Sequence, residues 1–499
     1  MIKCLKGFTG GYSFKNYAGQ AVPTLLEQEL PEQVIIPLKQ GLSSEVKSLV
    51  KKGDIVTAGQ IIGRDDTNIS SPVHASVNGV VEDIRRVNYF KREINLVTIK
   101  TGNKSRDILR LPGAASDWWK LKNEKIEELI YLSGVSSLDG EGIPTRFKSS
   151  FIPPEKVEHL IIHGVGSEPY NISLDLLLAD KNIQNFLEGI KILKRVMPKC
   201  KVHLALNARK KKIIESMKKL TAELEWLDII LLEPKYPQGY DEVLVPTILR
   251  KKFPYTYSAA NMGVIILNIQ AVLGVYDAVV EGLPLIERIV ALSGACFKEN
   301  IHLKVRVGTS LGDIIKGRLK EGLPVRLIDR SILRGFHLQD TSLPVERTIS
   351  NLIAIPENRE REFLAFIGPG VRRDSYSRGF LAKWLPGIKK FPDTNLHGEE
   401  RACISCNFCT DVCPVQIIPH LISKYVQAEI IDEIIMQYGI FNCIDCGLCN
   451  FVCPSKIKLL ENIKKGREKM VEENCGPDHC ILPHFELIGI EEYRGVTKL

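Results

Sequence analysis

Two identical runs of cysteines constrain this chain more than anything else in it. Cys403, Cys406, Cys409 and Cys413 are separated by two, two and three residues and followed by Pro414; Cys443, Cys446, Cys449 and Cys453 repeat that spacing before Pro454. Three thiolates two residues apart on a curling loop reach three corners of one iron–sulfur cube. The spacing therefore predicts two 4Fe-4S clusters and one-electron chemistry. Structural zinc is the competing reading, since zinc also takes four cysteines, but zinc sites pair two CxxC halves and need neither the third close cysteine nor the proline. Between the runs, Ile417 to Tyr438 has the helical period that would hold two ligand loops apart.

In two-cluster ferredoxin-like domains the fourth ligand of each cube comes from the other run. That rule assigns Cys403, Cys406, Cys409 and Cys453 to cluster I, and Cys443, Cys446, Cys449 and Cys413 to cluster II. Of the remaining cysteines, Cys475 and Cys480 read as free surface thiols, and Cys4, Cys200 and Cys296 as buried packing residues.

A chain of 499 residues exceeds a single core and predicts three or four domains. The most apolar long window, Val264 to Val280, is broken by Asn268, Gln270 and Asp277, so no transmembrane helix is expected. Met1 to Gly10 lacks the apolar core of a signal peptide, which predicts a cytosolic location and reduced thiols. The net charge of +8 includes clusters at Arg209 to Lys212 and Arg250 to Lys252 with no aromatic interleaving, which argues against a nucleic-acid partner. The excess would also suit an anionic membrane surface or an acidic carrier.

Short strands from Val34 to Ile84, with turns at Lys52-Gly53-Asp54 and Asn78-Gly79, form a hairpin-rich pattern that resembles the barrel-sandwich hybrid of biotinyl and lipoyl domains. The hairpin at Ser70 to His74 lacks the cofactor lysine of those domains, so it reads as a structural or docking element with His74 packed or at the surface. From Glu158 to Leu285 strands such as Leu160 to His163, Val202 to Leu206 and Leu227 to Leu232 alternate with helices such as Lys210 to Leu224, the signature of a parallel sheet covered by helices. After Glu287, a strand, a Gly-Thr-Ser cap and a short helix resemble the β-grasp module called SLBB.

The order of these parts resembles the C subunit of the Rnf-type ferredoxin:NAD oxidoreductase, with markers in LKQGLSSEVKSLVKKGDIVTAGQIIG, KYPQG at Lys235 to Gly239, and YDAVVEGLPLIERIVALSG from Tyr276 to Gly294. The stretches FLAFIGPG and LPGIKKFPDTNLHGEERACISC are similar to the A subunit of the Na+-translocating NADH:quinone reductase, which lacks the cysteines. The expected fold is therefore multidomain α/β plus β: a barrel-sandwich hybrid over 1–110, a Rossmann-like FMN/NADH-type α/β domain over 111–285, an SLBB β-grasp module over 286–365, and a linker with a helical ferredoxin-like 2×4Fe-4S domain over 366–499.

The resemblance also implies a flavin site. Relatives hold FMN on a loop of the form GxGGAGFPTxxK; in the segment 134–148, Gly140, Gly142, Pro144, Thr145 and Lys148 fit, whereas Ser136 and Ser137 stand near expected glycines and Glu141 brings a carboxylate toward a phosphate. In the next flavin strand Glu168, Pro169 and Tyr170 match, but His163 and Gly166 replace an asparagine and a glutamate; Asn268 corresponds to a later flavin asparagine. Half the constellation is kept. The resemblance thus implies an electron-transfer subunit on the cytoplasmic face of the cell membrane. It would exchange electrons with NADH through FMN, or with a ferredoxin-like carrier, and pass them to integral membrane partners that couple the flow to ion translocation. Two alternatives stay open: a 4Fe-4S relay without flavin, and a corrinoid reductase, whose flavoprotein resembles the same Rnf-type protein.

Overall fold

The computed structural model describes residues 2–5, 7–40, 45–65, 70–89, 92–102, 105–135, 157–252, 258–357, 376, 384–385, 387–392 and 400–473. Its organising element is a five-stranded, all-parallel sheet in the order Ile2–Cys4, Leu227–Leu232, Lys201–Asn207, His159–Gly164, Val264–Asn268. Parallel strands covered on both faces read as unbroken apolar runs, and these do. Their side chains divide with period two: Leu160, Ile162, Val202, Leu204, Ile265 and Leu267 face one core, while Ile161, Ala205, Ile230, Val264 and Ile266 face the other. The first core is closed by Asn123–Leu132, Asn182–Val196 and Ile269–Tyr276, and the second by Asp241–Leu249. Because all five strands run the same way, the loops after Gly164, Asn207, Leu232 and Asn268 gather at one edge. Ligands of such sheets sit at that edge.

The barrel-sandwich region pairs a four-stranded antiparallel sheet (Gln33–Pro37, Arg92–Thr101, Gly79–Tyr89, Ile55–Val56) with a three-stranded one (Lys47–Ser48, Ile61–Arg64, Val73–His74). Both bury Val34, Ile36, Val46, Ile62, Val73, Val97 and Ile99 in one core. The hairpin at Ser70 to His74 turns inward: Arg347 donates to Ser71 Oγ at 3.0 Å and Pro72 O at 2.7 Å, and His74 Nε2 lies 2.9 Å from Leu132 O. It docks within the molecule.

A third sheet has the order Val325–Asp329, Asn351–Pro356, Glu287–Ser293, His302–Arg306, Leu25–Glu27. Glu287–Ser293 runs antiparallel to His302–Arg306 and parallel to Asn351–Pro356, and the helix Leu311–Ile315 starts from Ser310, whose hydroxyl accepts from Asp313 N at 3.0 Å. Two N-terminal strands depart from the simple order of parts. Ile2–Cys4 extends the parallel sheet and Leu25–Glu27 extends the third sheet, so the first residues thread two other units before entering the barrel. Cys4, expected to be buried, is exposed because its strand is the outer edge of the sheet; Cys200 and Cys296 are buried.

The C-terminal unit is helical: Phe408–Asp411, Pro419–Gln427, Glu433–Gln437, Leu448–Val452 and Leu459–Glu472. The expected spacer helix is two helices, parted at Glu429, whose φ of 58° is left-handed. The two cysteine runs share a backbone path. Left-handed residues recur at Ser405, Asn407 and Gln416, and again at Asp445, Gly447 and Lys456.

Candidate redox site

The left-handed turns curl each run so that its first three cysteines face inward, and the fourth departs toward the other run. One cavity is lined by Cys403, Cys406, Cys409 and Cys453, and a second by Cys413, Cys443, Cys446 and Cys449, each with about 320 Å³ of open space continuous with solvent. The linings contain the two sets that ligand exchange predicts, with Cys409 added to the second. Cys409 borders both cavities, so the two are neighbours.

Their surroundings differ. Cys403 and Cys406 in the first set and Cys443 in the second are half-buried, the other five cysteines are buried, and Val415, Ile417, Leu448, Leu460 and Ile463 form an apolar wall around the second. Burial pushes the Cys409 and Cys413 thiols up to about 11 and Cys446 to about 12, and raises Cys443 and Cys449 well above the usual thiol range. Such thiols ionise only against a compensating cation, which iron supplies. Among the described residues no three His, Cys, Asp or Glu side chains are grouped to hold a single ion. Four thiols around each cavity are the donor set that a 4Fe-4S cube takes.

Polar contacts fix the second ligand loop. Arg467 donates to both carboxylate oxygens of Asp445, at 2.6 and 2.7 Å, and to Cys443 O at 3.2 Å. Asn450 Oδ1 accepts from Leu460 N at 2.8 Å, tying the loop to the start of the last helix. The N-terminal arm presses from outside: Gly11 N donates to Val412 O at 2.7 Å, and Tyr12 and Tyr236 exchange backbone hydrogen bonds at 2.9 and 2.8 Å.

The second cavity abuts the ligand edge of the parallel sheet. Tyr236, in the loop after Leu227–Leu232, donates from Oη to Cys446 O at 2.6 Å, and its hydroxyl lies 2.6 Å from that of Tyr240. Tyr240 Oη donates to Glu168 Oε1 at 3.4 Å. Burial pushes the Glu168 carboxyl up, against the pull of the Ser331 hydroxyl and the Arg334 guanidinium. The Arg334 guanidinium stacks on the Tyr240 ring, 4.3 Å from its centroid.

Of the expected flavin residues, Glu168 and Asn268 both lie at this edge. Their side chains are engaged: Asn268 Oδ1 accepts from Ala271 N at 2.9 Å as the cap of Ile269–Tyr276, and Glu168 faces Tyr240. Gly140, Gly142, Thr145 and Lys148 lie outside the described residues, as do Cys475 and Cys480. Tyr236, Tyr240, Arg334 and Gly10 went unread as site residues. The motif Lys235 to Gly239 was the one available signal: its Tyr236 reaches Cys446 O, and its Lys235 Nζ donates to Phe8 O at 2.8 Å.

Comparison with known proteins gives three of the parts a counterpart. Residues 7–104 match the RnfC barrel sandwich hybrid domain, 130–277 the Nuo51 FMN-binding domain, and 402–457 the 4Fe-4S dicluster domain. The C subunit of the proton-translocating ferredoxin:NAD(+) oxidoreductase complex of Clostridium ljungdahlii is 28% identical, over 92% of this chain and 93% of its own length. The C subunit of the Na(+)-translocating ferredoxin:NAD(+) oxidoreductase complex of Acetobacterium woodii is 25% identical, over 81% of this chain and 83% of its own. The C subunit of the ion-translocating oxidoreductase complex of Vibrio cholerae is 25% identical over 85% of this chain, which spans 51% of that longer protein. The resemblance to the Rnf-type protein thus extends across the barrel, the α/β domain and the cluster unit.

Proposed function

We propose that this homologue of the Rnf C subunit is the electron-transfer component of an ion-translocating ferredoxin:NAD+ oxidoreductase, bound at the cytoplasmic face of the membrane by integral partners. The carrying observation is that two four-cysteine cavities adjoin each other and one abuts the ligand edge of a Nuo51-like sheet. Its cofactors are two 4Fe-4S clusters and FMN, with NAD(H) as substrate. FMN, when bound, converts a hydride pair into single electrons. The chain's own part is to hold that group at the sheet edge, seat cluster II beside it and leave cluster I, with its half-buried Cys403 and Cys406, toward the surface. This gives an order of sheet edge, cluster II, cluster I, membrane partner. Among the described residues no helix is long and apolar enough to cross a membrane, in keeping with attachment through partners. The hairpin, short helix and returning parallel strand of the third sheet support an SLBB-type β-grasp module over 286–365.

A relay without flavin is the second reading, favoured by Glu141 in the loop and by the prior engagement of Asn268 and Glu168. Anaerobically purified protein separates the two. With FMN bound it should oxidise NADH with ferricyanide as acceptor; Lys148→Ala should abolish this, and Glu141→Ala should strengthen flavin retention by removing a like charge from the phosphate. Protein that keeps both clusters yet neither binds added FMN nor oxidises NADH leaves the relay standing.

A further inference from the structure

Two segments far from it and from each other in sequence converge on the loop of Cys446. Tyr236 Oη donates to its carbonyl at 2.6 Å, Tyr240 braces Tyr236 at 2.6 Å, and Arg334 lies over the Tyr240 ring with Cζ 4.3 Å from the centroid. The loop bearing Arg334 also touches the ligand loop directly, since a Cβ on Gly447 would meet Leu333 O at 2.7 Å. The first cavity has different neighbours: His420 Nδ1 stands 3.7 Å from Cys409 Sγ, and Ser405 N donates to Cys403 Sγ at 3.4 Å.

We infer that Arg334, clamped by Tyr240 and Tyr236, is a positioning residue that sets the reduction potential of the cluster held by Cys413, Cys443, Cys446 and Cys449, and acts far less on its neighbour. This rests on the cluster assignment proposed above. One-electron reduction adds a negative charge to a cube, and a nearby cation stabilises the reduced form, raising the potential; the Arg334 side chain is exposed, so solvent screens part of its field. A guanidinium keeps its proton in either redox state. Tyr236 adds to the effect by hydrogen bonding the peptide of a ligand residue. The carboxylates Glu168 and Glu242 and the hydroxyls of Tyr236 and Tyr240 face Arg334. Removing the cation leaves those carboxylates unopposed, which changes the potential in the same direction. Asp445 and Arg467, on the ligand loop and the last helix, pair with each other at 2.6 Å and largely offset.

The test is a potentiometric titration of the full chain followed by electron paramagnetic resonance, with iron and sulfide assayed on each sample. In Arg334→Gln the midpoint of one cluster should fall by at least a tenfold change in its reduction equilibrium, about 59 mV for one electron, while the other moves far less. Arg334→Lys should restore part of the shift, and Tyr236→Phe should lower the same midpoint by a smaller step. Cys403→Ser identifies the shifted signal, because it perturbs the cluster that Arg334→Gln leaves alone. Unchanged midpoints, equal shifts of both clusters, or a shift confined to the other cluster would overturn the inference. Should Arg334→Gln lose iron, Tyr236→Phe decides: retained iron with unmoved midpoints refutes it. Wild-type protein lacking about eight irons would instead refute the cluster assignment.

Discussion

Gly10→Ala tests how firmly the N-terminal arm is pressed against the end of the first cysteine run, at Val412 and Cys413. Gly10 has a φ of +75°, and a Cβ there would sit 2.5 Å from Cys413 O and 2.9 Å from both Cys413 C and Val412 O. The left-handed conformation costs an alanine roughly 1–2 kcal/mol. Displacing packed backbone adds typically about 1–3 kcal/mol, for a total of about 2–5 kcal/mol. A domain holds roughly 5–15 kcal/mol in all, so the protein should fold while the arm lifts and the Gly11 to Val412 hydrogen bond is lost. Cys413, whose carbonyl takes the overlap, closes the second cavity. Iron release to a chelator should therefore accelerate, and the denaturant midpoint should fall. Gly53→Ala is the control: its φ is +93° but nothing lies within 4 Å of an added Cβ, so it carries only the backbone cost. If Gly10→Ala releases iron no faster than Gly53→Ala, the arm does not bear on Cys413 and the reasoning fails.

Other expectations follow from the same geometry. Wild-type protein purified without oxygen should carry about eight irons and eight sulfides, and Cys413→Ala about four, lost from the cluster of the second run; loss from Cys413's own run would refute ligand exchange. Burial, with Arg347 beside it, pulls His74 from 6.5 to about 3. The unfolded chain therefore binds the extra proton between about pH 6.5 and 3, so stability is lost as pH falls through that window, by on the order of 4 kcal/mol at its foot. Urea melts at stepped pH should show this slope in wild type and a flatter one in His74→Leu; parallel slopes would exclude His74 as the cause.

The cysteine unit was legible because its chemistry is local. Spacing places three sulfurs on one loop, and ligand exchange then dictates which residues line each cavity, Cys453 in the first and Cys413 in the second. The parallel sheet was legible for a similar reason, since buried runs such as Leu227–Leu232 need no partner to be recognised. What escaped was non-local or too short. Ile2–Cys4 offers three residues at an edge, and Leu25–Glu27 is exposed throughout, so neither shows a burial pattern. The break at Glu429 has no glycine or proline to announce it. Tyr236, Tyr240, Glu168 and Arg334 meet only because the sheet brings the loops after two strands to one edge and the third sheet adds another. Asn268 carries two meanings at once: a residue between strand and helix is a cap as readily as a flavin contact, and the structure uses its oxygen for the cap.

The arrangement also fixes the place of the cysteine unit through backbone contacts rather than through side chains of its loops. Because Cys413 of the first run lines the second cavity and Cys453 of the second run lines the first, neither run can leave its place without opening the other, and the two runs form one body. That body is registered on the sheet by backbone atoms: Gly11 to Val412, Tyr236 to Cys446, and Leu333 against Gly447. Contacts to carbonyls survive substitution of the side chains on the cluster loops, whereas the partners Gly10, Gly447 and Tyr236 tolerate little change. Electron transfer depends steeply on distance and weakly on the identity of intervening side chains. A design that fixes spacing through backbone contacts and leaves potential to a side chain such as Arg334 therefore separates two requirements that sequence change would otherwise disturb together.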